Sequence, residues 1–257
     1  MRQRLFTALV FSAPFILLAL AWESIALAGI FPRKLFPPIG TIADTFVRLL
    51  LSGALWENAE GTVVRLIIGF LLAAIVGVLV GVLMGRFRIM EDTLLPAVSF
   101  VYPIPGLAYA PLFVLWFGLG DIPAVLLVGA ASCFVIILNT WKGVKAVKPV
   151  WLRSAAVMGA DEQRLFWNVI VPGALPYILT GLRLGLAQAW RILVAVEMLV
   201  AVDKGLGWMI FGAQQFLNTD VMLSSIAVIG LIGVLLEKQV FERLERFTVV
   251  RWGMLTA

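Results

Sequence analysis

WLRSAAVMGADEQRLFWNVIVPGALP, residues 151–176, is the stretch from which the rest of the chain can be laid out. Small residues Ser154, Ala155, Ala156, Gly159 and Ala160 cluster in one short helical stretch. Leu165, Phe166, Val169 and Ile170 then recur at i, i+1, i+4 and i+5, an apolar stripe at helical spacing. Pro172 and Pro176 predict an end to that helix before the next apolar run begins. The pattern is a short exposed helix with a small-residue face, followed by an anchoring helix. A small-residue face lets another protein's groove approach the backbone. An ordinary amphipathic connector has a similar composition, so the pattern alone leaves both readings open. The whole segment, 141–176, begins basic at Lys142, Lys145 and Lys148 and is punctuated by Pro149.

On both sides the chain is strongly apolar. Of its 257 residues, 62% are hydrophobic and 14% charged, and mean hydropathy is +1.03. Soluble domains carry about a quarter charged residues, so too little polar surface exists here to cover a soluble globule. The apolar residues also fall in long blocks, which suits lipid as solvent. Six spans are predicted: Val10–Ile30, Val63–Gly85, Leu95–Gly118, Ile122–Thr140, Tyr177–Val200 and Val221–Leu236. The basic start at Arg2 and Arg4, with Ala26-Leu27-Ala28, has the look of a secretory signal. Glu23 interrupts that run, and its length is about what a bilayer needs, roughly 20 residues, so it is read as an uncleaved first span. These six spans make one transmembrane domain over residues 1–257, all-α and polytopic.

Orientation follows from the Lys/Arg bias, since basic residues collect on the cytoplasmic side. With the N-terminus inside, the inner pieces hold thirteen: Arg2, Arg4, Arg86, Arg88, Lys142, Lys145, Lys148, Arg153, Arg164, Lys238, Arg243, Arg246 and Arg251. The outer pieces hold five: Arg33, Lys34, Arg48, Arg65 and Lys204. Both termini are therefore expected in the cytoplasm. The same bias accounts for the net charge of +5 without a nucleic-acid partner. With no His and only Cys133, an apolar packing residue, no metal site and no internal disulfide are expected.

Pro96, Pro103, Pro105 and Pro111 break the helical pattern of the third span. It reads as a short helix, an irregular crossing and a longer helix. Irregular backbone at membrane depth survives only inside protein or along a cavity, which makes this segment a candidate pathway wall. Tyr102 and Tyr109 flank the break and are candidate solute contacts, or packing groups. Gly69, Gly77, Gly81 and Gly85 lie on one helix face where a neighbour can approach closely; an internal contact and a contact between two copies fit equally. Outside, residues 31–62 carry a helical pattern at Ile42, Phe46, Leu49 and Leu50, and residues 201–220 contain Gly205-Leu206-Gly207-Trp208. Both segments are read either as interfacial helices that receive an external partner or as simple connectors.

Ionisable groups inside a membrane face the bundle interior or water, because lipid exposure costs at least about 2.5–3.5 kcal/mol. Arg183, Gln188, Arg191 and Glu197 fall within or near the fifth span. Arg183 and Arg191, eight apart, share roughly one face and can present positive charge to an anion in transit. The alternative is pairing within the bundle, Arg191 with Glu23 or Glu197. Gln188, Arg191, Glu197, Tyr102 and Tyr109 are the candidate pathway residues, and Asn139 is a candidate cap for the inner end of the fourth span.

The segment 151–176 resembles the signature loop of the permease subunits of bacterial ABC importers, whose pattern is Glu-Ala-Ala, three residues, Gly, nine residues, Ile, one residue, Leu-Pro. Aligned on Gly159, this chain reads Arg153-Ser154-Ala155, then Gly159, Val169 and Val171-Pro172. Arg153 stands where the family has Glu, and Ser154 where it has Ala. Pro103-Ile104-Pro105, Leu115–Gly120, Asn139-Thr140, Thr180–Arg183, Ala189-Trp190, Glu197-Met198 and Gly205–Gly207 resemble the sulfonate, taurine and nitrate subfamily. The resemblance implies a type I importer permease fold in a bacterial inner membrane. It also implies a second permease copy, most simply a homodimer, two cytoplasmic ATPase subunits and an extracytoplasmic binding protein. The coupling residues it implies are Arg153, Ser154, Ala155, Ala156, Gly159, Ala160, Asp161 and Pro172, and the implied solute is a small anion such as a sulfonate, taurine, nitrate or bicarbonate. ATP and Mg are expected on the partner ATPase and no cofactor on this chain, which has no Gly-x-x-x-x-Gly-Lys-Ser/Thr phosphate cradle and no catalytic residue. A secondary transporter or channel without a partner ATPase is the alternative. It is expected to place coupling ions on polar groups within its spans, and such groups are few here.

Overall fold

In the computed structural model, which describes residues 2–200 and 202–241, the chain is helical throughout and no strand occurs among the described residues. Three helices are long and apolar enough to cross a membrane: α3 (Ala54–Arg86), α6 (Asp121–Lys145) and the stretch Glu162–Leu199. A fourth crossing is broken. Here α4 (Arg88–Val101) is followed by a 3₁₀ turn, Gly106–Tyr109, and α5 (Ala110–Phe117), with a 90° bend between the halves. The first and last predicted spans fall on shorter apolar helices, the Ala13–Leu27 part of α1 (Arg2–Leu27) and Thr219–Leu235, so all six lie on helical elements. In the broken span the first half is the longer one, the reverse of expectation. Pro96 sits inside α4 without ending it, and the chain turns only at Pro103 and Pro105. The basic residues Arg243, Arg246 and Arg251 lie outside the described residues.

The glycine face settles which helix it serves. Built onto Gly77, a Cβ would stand 2.8 Å from Ile136 Cβ; on Gly81 it would stand 2.6 Å from Thr140 Cβ and 2.8 Å from the Ile137 carbonyl. Gly69 meets the Val125 carbonyl and Gly85 meets Val144 in the same way. The stripe therefore seats α3 directly on α6, within one chain. Apolar side chains gain nothing by leaving lipid tails for one another, so close backbone approach is what holds such helices together. On its other side α6 packs against α9 (Val171–Leu199), with Gly181 and Gly185 facing Asn139 and Ile136. The core lies among these three helices, at Leu66, Leu127, Val128, Leu193 and Val196.

The two segments expected outside hold folded elements tied to the bundle. α2 (Ile39–Leu51) appears where the periodicity placed it. Its first N–H is capped by Glu23, whose Oε2 accepts from Ile39 N at 2.8 Å. The buried Thr45 hydroxyl donates to Asp220 Oδ2 at 2.6 Å, at the start of α11 (Thr219–Leu235). The segment around Gly205–Trp208 begins α10 (Leu206–Gln215). Asn139 caps nothing: α6 runs on to Lys145, and the amide donates to the Val135 carbonyl in mid-helix.

Candidate functional site

The segment that opened the sequence forms a helix, a turn and a second helix. Pro149, in the first turn of α7 (Pro149–Val157), has no N–H to leave unpaired there. The helix stops at Gly159, whose φ of +84° is in the left-handed region. The Gly159 N–H donates to the Ala156 carbonyl and the Ala160 N–H to the Ala155 carbonyl, both at 3.0 Å. This pair of bonds is the Schellman closure of a helix end. Asp161 then caps α8 (Glu162–Leu165), its Oδ1 accepting from Arg164 N at 2.7 Å. The small residues at 155–160 are thus a tight reversal of chain direction. A Cβ on Gly159 would meet nothing within 4 Å, so the backbone, not crowding, demands glycine.

The reversal leaves α7 at the edge of the bundle, where Leu152 packs against the cluster of Val144, Ile170, Ala174 and Ile178. None of its residues is buried, and Arg153 and Ser154 are exposed. At its tip, Val157 and Met158 are 89% and 86% exposed. Two bare apolar side chains flanking a rigid turn form a surface ready for a protein partner.

Behind the tip the anchoring helix does not end at the prolines. α8, the π-helical turn Phe166–Ile170 and α9 run continuously from Glu162 to Leu199. Pro172 lies in the first turn of α9 and Pro176 inside it. The wide turn just before Pro172 lets the ring enter without breaking the rod. The predicted stop is therefore a joint, and the turn at Gly159 is followed directly by a helix long and apolar enough to cross a membrane. Arg86 at the end of α3 holds Glu162 at 3.1 Å, a second tie between this loop and the bundle.

At membrane depth, Tyr102, Tyr109 and Gln188 are brought together. They line a cavity of about 230 Å³ walled by the irregular stretch 101–106 and by Leu127, Ala131 and Phe134 of α6. Arg191 does not line it; it lines a separate cavity with Arg183, Leu186, Trp190 and Leu236, and its Nη2 reaches Gln188 Oε1 at 3.4 Å. Glu197 is elsewhere. It is fully buried, and Oε1 accepts from Arg65 Nη1 at 2.7 Å. Oε2 accepts from the Thr62 hydroxyl at 3.0 Å and the Gly207 N–H at 2.9 Å. Arg65 Nε also holds Asp121 Oδ1 at 2.7 Å. Asn58 Oδ1 and Thr62 Oγ1 accept from the N–H groups of Gly205 and Leu206, at 2.8 and 2.9 Å.

Three expectations are corrected by this network. Arg65, counted with the outer pieces although it falls two residues inside the predicted span Val63–Gly85, is not a residue of an outer loop: α3 begins nine residues before that span, and Arg65 is 3% exposed. Glu197 pairs with Arg65, not Arg191, and Glu23 caps α2 instead of meeting Arg191. Glu197, expected along the pathway, is sealed among α3, α9 and the start of α10, where it joins these elements. The signal that was available is Thr62-x-x-Arg65 just after Gly61, a polar pair one turn apart where the apolar run begins.

Residues 69–237 match the family described as the binding-protein-dependent transport system inner membrane component. The chain belongs to that family. This permease is 36% identical over 221 residues to the taurine transport system permease protein of Escherichia coli (strain K12), covering 84% of this chain and 80% of that one. It is 29% identical over 230 residues to the bicarbonate transport system permease protein of Synechocystis sp., covering 85% and 81%. Its fold resembles that of a chain in inward-facing structures of a methionine ABC transporter, with a TM-score of 0.60 at 20% identity, covering 77% of the permease and 96% of that chain.

Proposed function

We propose that this permease forms the translocation pathway of an ATP-driven importer for a small anion, with a sulfonate or bicarbonate as the substrate class. Two copies pair in the inner membrane with both termini in the cytoplasm. A binding protein delivers solute from outside, and two ATPase subunits carry ATP and Mg. The carrying observation is the exposed α7 tip, closed at Gly159 and joined through an unbroken helix to a membrane span. An ATPase groove that receives Val157 and Met158 moves the turn, and the rod from Glu162 to Leu199 carries that motion to the cavity. ATP then favours one of two conformations of the paired permeases. The anion class is supported by the names of the relatives, taurine and bicarbonate systems.

Gly159→Val tests the coupling. A β-branched side chain at φ +84° is strained by about 1–3 kcal/mol, and the turn reopens or tilts α7. Uptake and copurification of the ATPase are expected to fall together, while the thermal stability of the isolated permease falls by no more than that strain, because nothing packs against this position. A Gly159→Val permease that holds its ATPase and transports normally would rule the docking role out.

A further inference from the structure

α9 carries a polar stripe that the buried network leaves unused. Tyr177, Thr180, Leu184 and Arg191 are its exposed positions between residues 177 and 191, with Gln188 at the edge. At about 100° per residue these five fall within an arc of about 80°. Four of them can form hydrogen bonds. Thr180 donates to the Pro176 carbonyl at 2.9 Å, but a face that also carries Tyr177, Gln188 and a charged Arg191 is costly against lipid tails. The stripe continues into the Tyr102–Tyr109 cavity through Gln188, which lines it.

Arg191 is the charged member. Its Nε donates to the Ala187 carbonyl at 3.1 Å, and Nη2 reaches only the neutral Gln188. Among the described residues no carboxylate is within ion-pair distance of it. It lies eight residues, more than two helical turns, inside the end of α9. The acids nearby in sequence or expectation are engaged elsewhere, Glu197 by Arg65 and Glu23 by Ile39 N. A guanidinium more than two turns inside the helix, reaching a glutamine and no carboxylate among the described residues, has a donor fork left for a transient anion.

We propose that Arg191 is the solute-contacting cation of the pathway, and that the Tyr177–Arg191 stripe is the polar wall along which an anion passes the Tyr102–Gln188 cavity. This rests on the importer reading above and adds what selects the charge of the cargo. A sulfonate or bicarbonate presents two oxygens to the guanidinium fork. A solute without an anionic group gains nothing there.

The test uses the whole complex of permease, ATPase and binding protein in proteoliposomes, with radiolabelled taurine and bicarbonate as probes. Arg191→Gln is expected to slow uptake of the transported anion about 10- to 100-fold, the loss of charge-assisted hydrogen bonds. Arg191→Lys is expected to restore most of the rate. Binding-protein-stimulated ATP hydrolysis is expected to remain within about twofold in both, since neither the α7 turn nor the α3–α6 seam is touched. An Arg191→Gln complex that transports like wild type overturns the proposal. So does joint loss of assembly, hydrolysis and uptake in both variants, which marks a structural arginine. Wild-type complex that assembles and hydrolyses ATP but takes up neither probe counts against the anion class, and so against this role for Arg191. A permease that retains no ATPase refutes the importer reading itself.

Discussion

Glu197→Ala is expected to destabilise the permease by about 3–5 kcal/mol, the range found when one partner of a buried ion pair is removed. The reason lies in what is left behind. Arg65 is 3% exposed and would keep only Asp121, whose side chain is 64% exposed and whose charge is correspondingly screened by water. The Gly207 N–H would lose its acceptor inside the protein, and an unsatisfied buried donor costs about 1–3 kcal/mol; the Thr62 hydroxyl would keep the Asn58 carbonyl at 3.1 Å. The outer end of the bundle would loosen first, because Glu197 and Thr62 together hold the start of α10 against α3 and α9. Glu197→Gln preserves the shape and an acceptor and is expected to cost less. Thermal unfolding in detergent measures both variants. The cycle with Arg65→Ala separates the pair from its surroundings: the double variant is expected to be more stable than additivity predicts. Wild-type stability for Glu197→Ala would show that the network contributes nothing.

That network also shows where sequence reading stops. Hydropathy locates the apolar helices, three of them long enough to cross a membrane, because each is an apolar block with little to compete with it. The turn at Gly159 is legible too, since Ala155-Ala156, Gly159 and Asp161 each have a local backbone job and local jobs leave local patterns. The pairing of Arg65 with Glu197 joins residues 132 positions apart, and no periodicity reports such a partner. An arginine at the first turns of an apolar run looks like the end of a loop, so the sequence puts Arg65 outside and offers Glu197 the nearest basic residue on its own helix. Pro172 and Pro176 mislead for a related reason. A proline ends a helix when nothing compensates for its missing N–H, and here a π turn a few residues earlier compensates. The pathway residues divide along the same line. Tyr102, Tyr109 and Gln188 converge because the prolines that flag the third span also turn the chain there, while Glu197, marked only for its charge, belongs to the scaffold.

The α3–α6 seam yields the other large effect. Gly81→Leu is expected to be among the most damaging single substitutions in the permease, with loss of folded protein from the membrane fraction. The first carbon of any side chain at 81 would stand 2.6 Å from Thr140 Cβ and 2.8 Å from the Ile137 carbonyl, and one of these obstacles is backbone. Rotamer changes cannot relieve that; α3 and α6 must separate. Overpacking a core costs about 1–3 kcal/mol where side chains can yield, and here the cost is higher because they cannot. Separation also removes the close backbone packing between two helices whose other faces are equally content in lipid. The internal control is Gly230 in α11, where an added Cβ meets nothing within 4 Å. Gly230→Ala is expected to be neutral or to stabilise by up to about 1 kcal/mol through helix propensity. Gly81→Ala should already lower the detergent melting temperature, and Gly81→Leu should lower it further or prevent folding. Equal behaviour of the alanine variants at 81 and 230 would mean that the glycine stripe is not what holds α3 to α6. A fall confined to position 81 would identify that seam as the frame against which the rod from Glu162 to Leu199 moves, since α6 is packed by glycines of α3 on one side and by Gly181 and Gly185 of α9 on the other.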